Sequence, residues 1–199
     1  MKKFFGEHSY NMVKMLLNQF ATAIFGFVLF LATKKAENIA LMNVTSIAAI
    51  LFYLFLLYTM TWEIGYHDRV AVAQGRKKKN VFTGALISLC ANVPNFIYAI
   101  FITLAVFINA GEGSFIANIG GICSFLALFL EGMFTGLLSN HIGAVSLGSH
   151  WFVYFLIPLP AILVCGIAYY LGLRDVKFTS LFDPIVPESD RDPAEKRRK

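Results

Sequence analysis

The sequence predicts an all-α polytopic integral membrane protein with five membrane-inserted helical segments, of which four or five cross fully. Apolar residues make up 57% of the 199 residues, charged residues only 15%, and the mean hydropathy is +0.65. This composition excludes a disordered chain and an ordinary soluble domain. The hydrophobic residues are concentrated in five long stretches, at 16–33, 39–62, 81–109, 116–138 and 151–173.

Each stretch is long enough to cross, or nearly cross, a bilayer as a helix. A hydrocarbon core of about 30 Å requires roughly 20 residues at a helical rise of about 1.5 Å per residue. Four of the five stretches contain no charged residue, and their apolar residues run continuously rather than in alternation. Because backbone groups in lipid find no water partner, such runs favour helices over the strands of a barrel.

The first stretch has the flanks of an uncleaved helix. Lys2 and Lys3 lie thirteen or more residues before it, and Lys34 follows it directly, which is not the arrangement of a signal peptide. The second stretch ends at Trp62, an aromatic residue typical of the membrane interface.

The distribution of basic residues creates a conflict over the number of crossings. Short loops rich in Lys and Arg stay in the cytoplasm. With five full crossings, the two sides carry 8 and 9 basic residues, and the rule gives no orientation. If one stretch enters and leaves on the same side of the membrane, one side carries 15 basic residues and the other carries 2. The loop 63–80 is then expected to be cytoplasmic. Five full crossings remain an alternative, because the distal basic residues of the tail carry less weight.

Two regions are candidates for the stretch that turns back. Stretch 81–109 contains Pro94 near its middle, although a kinked and tilted single crossing also fits it. The region 116–150 contains a cluster of six glycines, which lower helix propensity and permit tight turns. We favour this glycine-rich region as the broken element.

The fifth stretch has aromatic residues at both ends, and a polar tail follows it. Trp151 and Tyr154 begin the stretch and Tyr169 ends it, a separation close to the thickness of the hydrocarbon core. Residues 174–199 contain three prolines, seven basic and six acidic residues, and they predict a solvated, disordered tail. The stretches and their connections, residues 1–173, form a single transmembrane domain.

Glu131 is the one charged residue within a predicted span, and Asn92 and Asn95 are candidate polar neighbours. A carboxylate in lipid is costly unless it faces protein or water, so Glu131 is either an ion or proton site or an interfacial residue at a helix end. Helix breaks are expected at three prolines, where they either free backbone groups for a ligand or act as packing kinks: Pro94, Pro158 and Pro160.

The polar loop after the second stretch ends in a basic run. Arg76, Lys77, Lys78 and Lys79 directly precede the third stretch, and each is expected to contribute about 1 kcal/mol of attraction to an anionic leaflet. The run lacks the interleaved aromatic residues that nucleic-acid binding requires, so no nucleic acid is expected as a partner.

No sequence motif for chemistry is present. The chain has no phosphate-binding loop, GxSxG elbow, HExxH or CxxCH motif, so we predict no cofactor and no metal. Glu63, His67 and Asp68 share one segment, but an i,i+4 surface pair explains them better than a metal site.

Several short segments resemble small multi-span proteins of Gram-positive bacteria that have no assigned function. The likeness covers Trp62 to Asp68, the basic loop, Pro94-Asn95 and two segments of the last stretch, Ile157 to Pro160 and Tyr170 to Gly172. The resemblance implies a bacterial cytoplasmic membrane and carries over no catalytic or binding residue.

Three functional hypotheses follow. The first is a non-enzymatic membrane subunit or accessory protein that binds membrane lipids and either itself or another membrane protein. The second is a small transporter or channel that uses Glu131 and the proline-broken helices. The third is a membrane enzyme acting on lipid, with Glu63, His67 and Asp68 as its candidate polar cluster.

Overall fold

The computed structural model describes residues 2–108, 115–143 and 145–176, and these are mostly helical. The all-α prediction is confirmed, with one two-stranded antiparallel hairpin added to it. The hairpin strands are β1 (His141–Ile142) and β2 (Val145–Ser146), and a single 3₁₀ turn, Gly132–Phe134, links α5 to α6. The helices are α1 (Lys2–Lys35), α2 (Ile39–Ala73), α3 (Thr83–Ala91), α4 (Val93–Phe107), α5 (Phe115–Glu131), α6 (Thr135–Leu138), α7 (Val153–Leu156) and α8 (Leu159–Arg174).

Four helical segments are long and apolar enough to cross a membrane, and a fifth qualifies if the bent pair α3 and α4 forms one span. The four are Phe4–Lys35, Ile39–Ala73, Phe115–Leu138 and Val153–Arg174. The predicted range of four or five candidate spans is therefore confirmed at the level of length and composition. The tail from residue 177 onward lies outside the described residues.

Two helices extend beyond the apolar stretches predicted as membrane segments, because polar residues continue a helix unless a breaker stops them. Helix α1 begins at Lys2 rather than near Leu16, and α2 continues to Ala73 rather than ending near Trp62. Helix α2 ends where Gly75 adopts a φ of +70°. The Gly75 and Arg76 amides donate to the carbonyls of Val72 and Ala71, a helix terminus that needs a left-handed residue. The loop is thus residues 74–82.

The third stretch bends by 51° between α3 and α4. Pro94 lies in the first turn of α4, where its missing amide hydrogen costs no helical hydrogen bond. The Asn92 side-chain amide donates to the Ser88 carbonyl oxygen at 2.8 Å, and that of Asn95 donates to Asn92 Oδ1 at 2.8 Å. These bonds satisfy polar groups at the bend, which deflects the chain without reversing it.

Ion pairs bring three distant segments to one end of the helix bundle. Lys77 Nζ lies 2.6 Å from Glu7 Oε1, and Arg69 Nη1 lies 2.5 Å from Asp175 Oδ2. The Trp62 indole also donates to the Val176 carbonyl oxygen at 2.8 Å. The start of α1, the loop 74–82 and the end of α8 therefore share one end, which we call the basic end.

The opposite end holds the α1–α2 connection and the β-hairpin. Asn43, near the start of α2, exchanges side-chain hydrogen bonds with Asn140, which directly precedes β1. We call this end, formed by residues 35–43 and 139–151, the hairpin end. Each of α1 and α2 runs the whole distance between the two ends.

Helices α3 and α4 run together from the basic end toward the hairpin end, antiparallel to α7 and α8. Gly84 packs on Tyr169 and Cys165 near the basic end. At the far end of the pair, the Phe107 ring lies 5.3 Å from that of Trp151, which follows the hairpin. The bent third stretch therefore connects the two ends of the bundle.

The glycine-rich stretch begins and ends toward the hairpin end. Helix α5 packs antiparallel to α4, with Gly120 against Ala105 and Cys123 in one buried cluster with Ile102. Its last turn lies deeper, because the Gln19 side chain donates to the Leu130 carbonyl oxygen at 2.9 Å. Gln19 is about 24 Å of helix from the end of α1, at 1.5 Å per residue.

From Glu131 the chain returns toward the hairpin end. Gly132 packs on Ala23, Gly136 packs on Ser46, and Asn140 reaches Asn43 within about 6 Å of the start of α2, counted at the helical rise. The turn at Gly132 lies within the region that the glycine density marks as the broken element.

The outer surface of the long helices is apolar and their buried face carries the polar residues. On α2, Leu51 and Phe55 are 61% and 60% exposed, whereas Ser46, Thr61 and Asp68 are buried. This arrangement reverses the pattern of a soluble helix, and large exposed apolar surfaces require a partner or a lipid environment. The distribution is compatible with a multi-pass membrane protein.

Glycines allow the helix backbones to approach closely within the chain. A methyl group at Gly65 would overlap the carbonyl oxygen of Tyr169, and one at Gly172 would overlap that of Trp62. Close approach of small residues is the usual basis of helix packing in membranes, where lipid tails compete for apolar contacts.

We expect Gly65→Ala to lower the stability of the detergent-solubilised protein by about 1–3 kcal/mol, because the added methyl group forces α2 away from α8. The matched control is Gly6→Ala, where an added methyl group meets no atom within 4 Å. The control should be neutral or slightly stabilising, since alanine favours a helix more than glycine does. The measurement is the thermal midpoint of unfolding, and equal midpoints for the two variants would contradict the packing.

Candidate functional site

Glu131 is a buried carboxylate without a hydrogen-bond partner. It is the last residue of α5, directly before the 3₁₀ turn, and it is 3% exposed. Neither carboxylate oxygen has a hydrogen-bond partner among the described residues. An unpaired buried charge is very costly, so such a group must take up a proton or a cation. Glu131 ends α5, as the alternative of an interfacial residue at a helix end expects, and its burial places it against protein. The choice between an ion or proton site and an interfacial residue stays a prediction.

A cavity of about 360 Å³ lies beside Glu131. One wall is formed by a single face of α5, by α6 and by Ser139 after it, and the other wall comes from Ser146, Gly148 and α7. Apart from Glu131, its polar lining consists of hydroxyl groups and the backbone at Gly148. The lining residues are Ser124, Ala127, Leu128, Glu131, Thr135, Leu138, Ser139, Ser146, Gly148 and Tyr154.

Asn92 and Asn95 form a separate polar group. Both are buried; Asn95 donates to Asn92, and Asn92 donates to Ser88, as described above. Neither lines the cavity beside Glu131. Asn95 Oδ1 has no hydrogen-bond partner among the described residues. The structure therefore divides the predicted polar set into Glu131 with its cavity and an asparagine pair at the bend of the third stretch.

The prolines of the last stretch lie where α7 ends and α8 begins, so the stretch is interrupted at the predicted place. Pro158 directly precedes α8, and Pro160 lies in the first turn of that helix. Proline is favoured in a first turn because its missing amide hydrogen would have no helical partner there. Pro158 still accepts a hydrogen bond from the Ile162 amide at 3.2 Å.

The basic run contains three exposed residues and one that is bound within the protein. Arg76, Lys78 and Lys79 are exposed, and the first two line a cavity of about 1170 Å³ at the basic end. Lys77 instead contacts Asp68 Oδ1 at 2.8 Å as well as Glu7. Contact of the three exposed residues with lipid stays a prediction. The ammonium group of Lys77 is already paired with two carboxylates of the protein.

Asp68 is the centre of this polar network. Its second oxygen accepts a hydrogen bond from the Tyr169 hydroxyl at 2.7 Å, so Asp68 connects α2, α8 and the loop. Burial opposes protonation of Lys77, but hydrogen bonds to Asp68 and Glu7 outweigh it and raise the pKa of Lys77 above 10.5. Asp68 continues the buried face of α2 that contains Ser46 and Thr61. Its helical spacing from these two residues was the sequence signal that could have predicted its burial.

The remaining candidate residues do not converge on one point. Glu63 and His67 are exposed on α2 and 3.8 Å apart, whereas the Asp68 carboxylate is turned into the network with Lys77 and Tyr169. Within residues 2–108, 115–143 and 145–176, no group of three His, Cys, Asp or Glu side chains is arranged to hold a metal ion.

Comparison with protein-family models, curated proteins and solved structures found no match to this chain. The resemblance to small multi-span proteins of Gram-positive bacteria therefore stays a prediction. Functional assignment depends on the geometry of the chain itself.

We expect Lys77→Met to destabilise the protein by about 1–3 kcal/mol, because it leaves Asp68 and Glu7 without their cationic partner. The matched control is Lys78→Met, which removes a neighbouring lysine that is exposed. Its thermal midpoint should stay close to that of the wild type.

The same network predicts the direction of a pH effect. Because the pKa of Lys77 is raised on folding, its stabilisation is fully present below about pH 10.5 and is lost as the pH rises through the raised value. The difference in midpoint between wild type and Lys77→Met should shrink at high pH, and a constant difference would contradict the assignment.

Proposed function

We propose that the protein is inserted in a membrane with four complete crossings and one re-entrant element. The crossings are α1, α2, the bent pair of α3 and α4, and α7 with α8. Helices α5 and α6 enter from the hairpin end, turn at Gly132 and return to the same end. The contacts of Phe107, Gly120 and Asn140 support this arrangement.

We further propose that the basic end faces the cytoplasm of a bacterial cell. The ion pairs at Glu7 and Asp175 support a common side for the N-terminal residues, the loop 74–82 and the start of the tail. Counted along the sequence, 15 of the 17 basic residues then lie on that side. The positive-inside rule gives such a side to the cytoplasm.

The function that the geometry supports best is a small transporter or channel that moves protons or another cation past Glu131. The observation that carries this proposal is the buried carboxylate with two unpartnered oxygens beside a cavity. Ionisable residues within a membrane are expensive, and those that persist commonly mark ion and proton pathways.

The other two hypotheses have less support from the described residues. A membrane enzyme acting on lipid needs a converging polar cluster, and Glu63, His67 and Asp68 point to different surroundings. An accessory subunit without transport activity remains the alternative proposal, and it gives no role to the unpaired carboxylate of Glu131. Flux measurements separate the two remaining functions.

Cysteine labelling tests the arrangement in the membrane. We expect Phe115→Cys and His141→Cys to react with an impermeant maleimide from the same side as Glu37→Cys, and Lys78→Cys to react from the opposite side. Wild-type protein, whose cysteines lie within the helices, measures the background. Labelling of position 115 from the side of position 78 would instead make the third stretch the re-entrant one.

Proton flux tests the function. Purified protein in vesicles with an entrapped pH-sensitive dye should dissipate a pH gradient faster than protein-free vesicles. Glu131→Gln should reduce the protein-dependent rate by about tenfold or more, because an amide cannot exchange the proton. The control Glu63→Gln removes an exposed carboxylate and should leave the rate unchanged. A wild-type rate equal to that of protein-free vesicles would favour the accessory subunit.

A further inference from the structure

We propose that the cavity beside Glu131 binds a small monovalent organic ammonium ion, which is the substrate class of the site. This inference rests on the proposed function for its physiological meaning. The charge of the cavity, the hydrogen-bond acceptors in its lining and its size support it, and binding rather than flux tests it.

The cavity has one carboxylate, that of Glu131, among the described residues that line it. None of these residues is a lysine, arginine or histidine. None is an asparagine or glutamine either, whose side-chain amides would offer hydrogen-bond donors. An anionic ligand would therefore meet repulsion and no counter-charge, whereas a cation would neutralise the Glu131 carboxylate.

Four of the five hydroxyl groups of the lining have already used their hydrogens. Each of the four donates to a backbone carbonyl at 2.7–2.9 Å: Ser124 to Gly120, Thr135 to Gly132, Ser139 to Thr135 and Tyr154 to Gly148. The fifth hydroxyl, that of Ser146, shares a hydrogen bond with Ser149. A hydroxyl whose hydrogen is committed offers lone pairs, so these four groups can only accept. The ligand must therefore supply donors or positive charge.

Charge balance favours a monovalent ion over a divalent metal. Divalent cations such as Ca²⁺ and Mg²⁺ bind through several oxygen ligands and usually more than one carboxylate. Glu131 alone balances a single positive charge. The described residues also contain no group of three His, Cys, Asp or Glu side chains that could hold a metal ion, which disfavours a transition metal.

The size and walls of the cavity favour an organic cation over a bare inorganic one. A volume of 360 Å³ equals that of about twelve water molecules at roughly 30 Å³ each, and small-molecule sites begin at about 300 Å³. Ala127, Leu128 and Leu138 give the walls apolar surface for alkyl groups. The Tyr154 ring is a partner for cation–π attraction to a quaternary or alkylated ammonium.

Carbodiimide protection tests this inference on the full-length protein in detergent. Dicyclohexylcarbodiimide adds to a protonated carboxyl group in an apolar site, and rearrangement gives a stable N-acylurea with no leaving group. The adduct at Glu131 is quantified by mass spectrometry of its peptide. Choline is the probe, and 3,3-dimethyl-1-butanol is its neutral isostere, in which carbon replaces the charged nitrogen.

We expect choline at ten times its half-protecting concentration to slow modification of Glu131 about tenfold, because the occupied site excludes the reagent. The isostere, and sodium or magnesium chloride at equal ionic strength, should protect far less. Glu63→Gln should show the same protection as the wild type, and Tyr154→Leu should require more choline. Equal protection by the isostere or by sodium, stronger protection by magnesium, or no protection by choline would each overturn the inference.

The outcomes separate this inference from the proposed function. Protection by choline in a protein that moves neither protons nor choline would retain the ligand class and reject the transport function. Proton flux that depends on Glu131 but is unaffected by choline, without protection, would reject the ligand class and retain the transport function.

Discussion

In the proposed membrane setting, the scarcity of hydrogen-bond partners in hydrocarbon is the constraint on which this structure depends. Every polar group along an apolar helix must find its partner within the protein. Thr22 and Thr33 donate back to carbonyls of their own helix, Asn92 donates to Ser88, and Tyr169 donates to Asp68. Asn95 Oδ1 departs from this pattern, and Glu131 departs further, since both oxygens of its ionisable carboxylate are buried without a partner among the described residues. Because Glu131 is also the one carboxylate of the predicted spans, it is the best candidate for a functional residue.

A second consequence of the same constraint is the network at the basic end. Lys77, Asp68 and Glu7 come from the loop, from α2 and from α1, and Tyr169 adds α8. Each partner reduces the cost of burying the others, and together they hold both termini of the described bundle at one end. These contacts, like the count of basic residues, support the even number of crossings proposed above.

The glycine-rich stretch illustrates how much sequence reasoning could and could not reach. Its glycines predicted a broken element, and the turn at Gly132 lies there, because glycine weakens a helix and also lets it approach a neighbour. The same reasoning did not reveal that Gly132 and Gly136 pack on α1 and α2. Nor did it reveal the cavity, because Ser146, Gly148 and Tyr154 meet Glu131 through folding that no local spacing encodes. The end of α2 was missed for the opposite reason: the local signal at Gly75 was present, but the polar residues before it were interpreted as a loop.

The sequence by itself determined the helical class, the approximate spans and Glu131 as the exceptional charge, because hydrophobicity and length act locally along the chain. The tertiary structure decided which helix ends lie together, which lysine of the basic run is paired with carboxylates, and which residues surround Glu131. These depend on contacts between residues far apart in sequence, such as Glu7 with Lys77 and Asn43 with Asn140. Their energies exist only once the helices have packed, so no pattern in a single segment can report them.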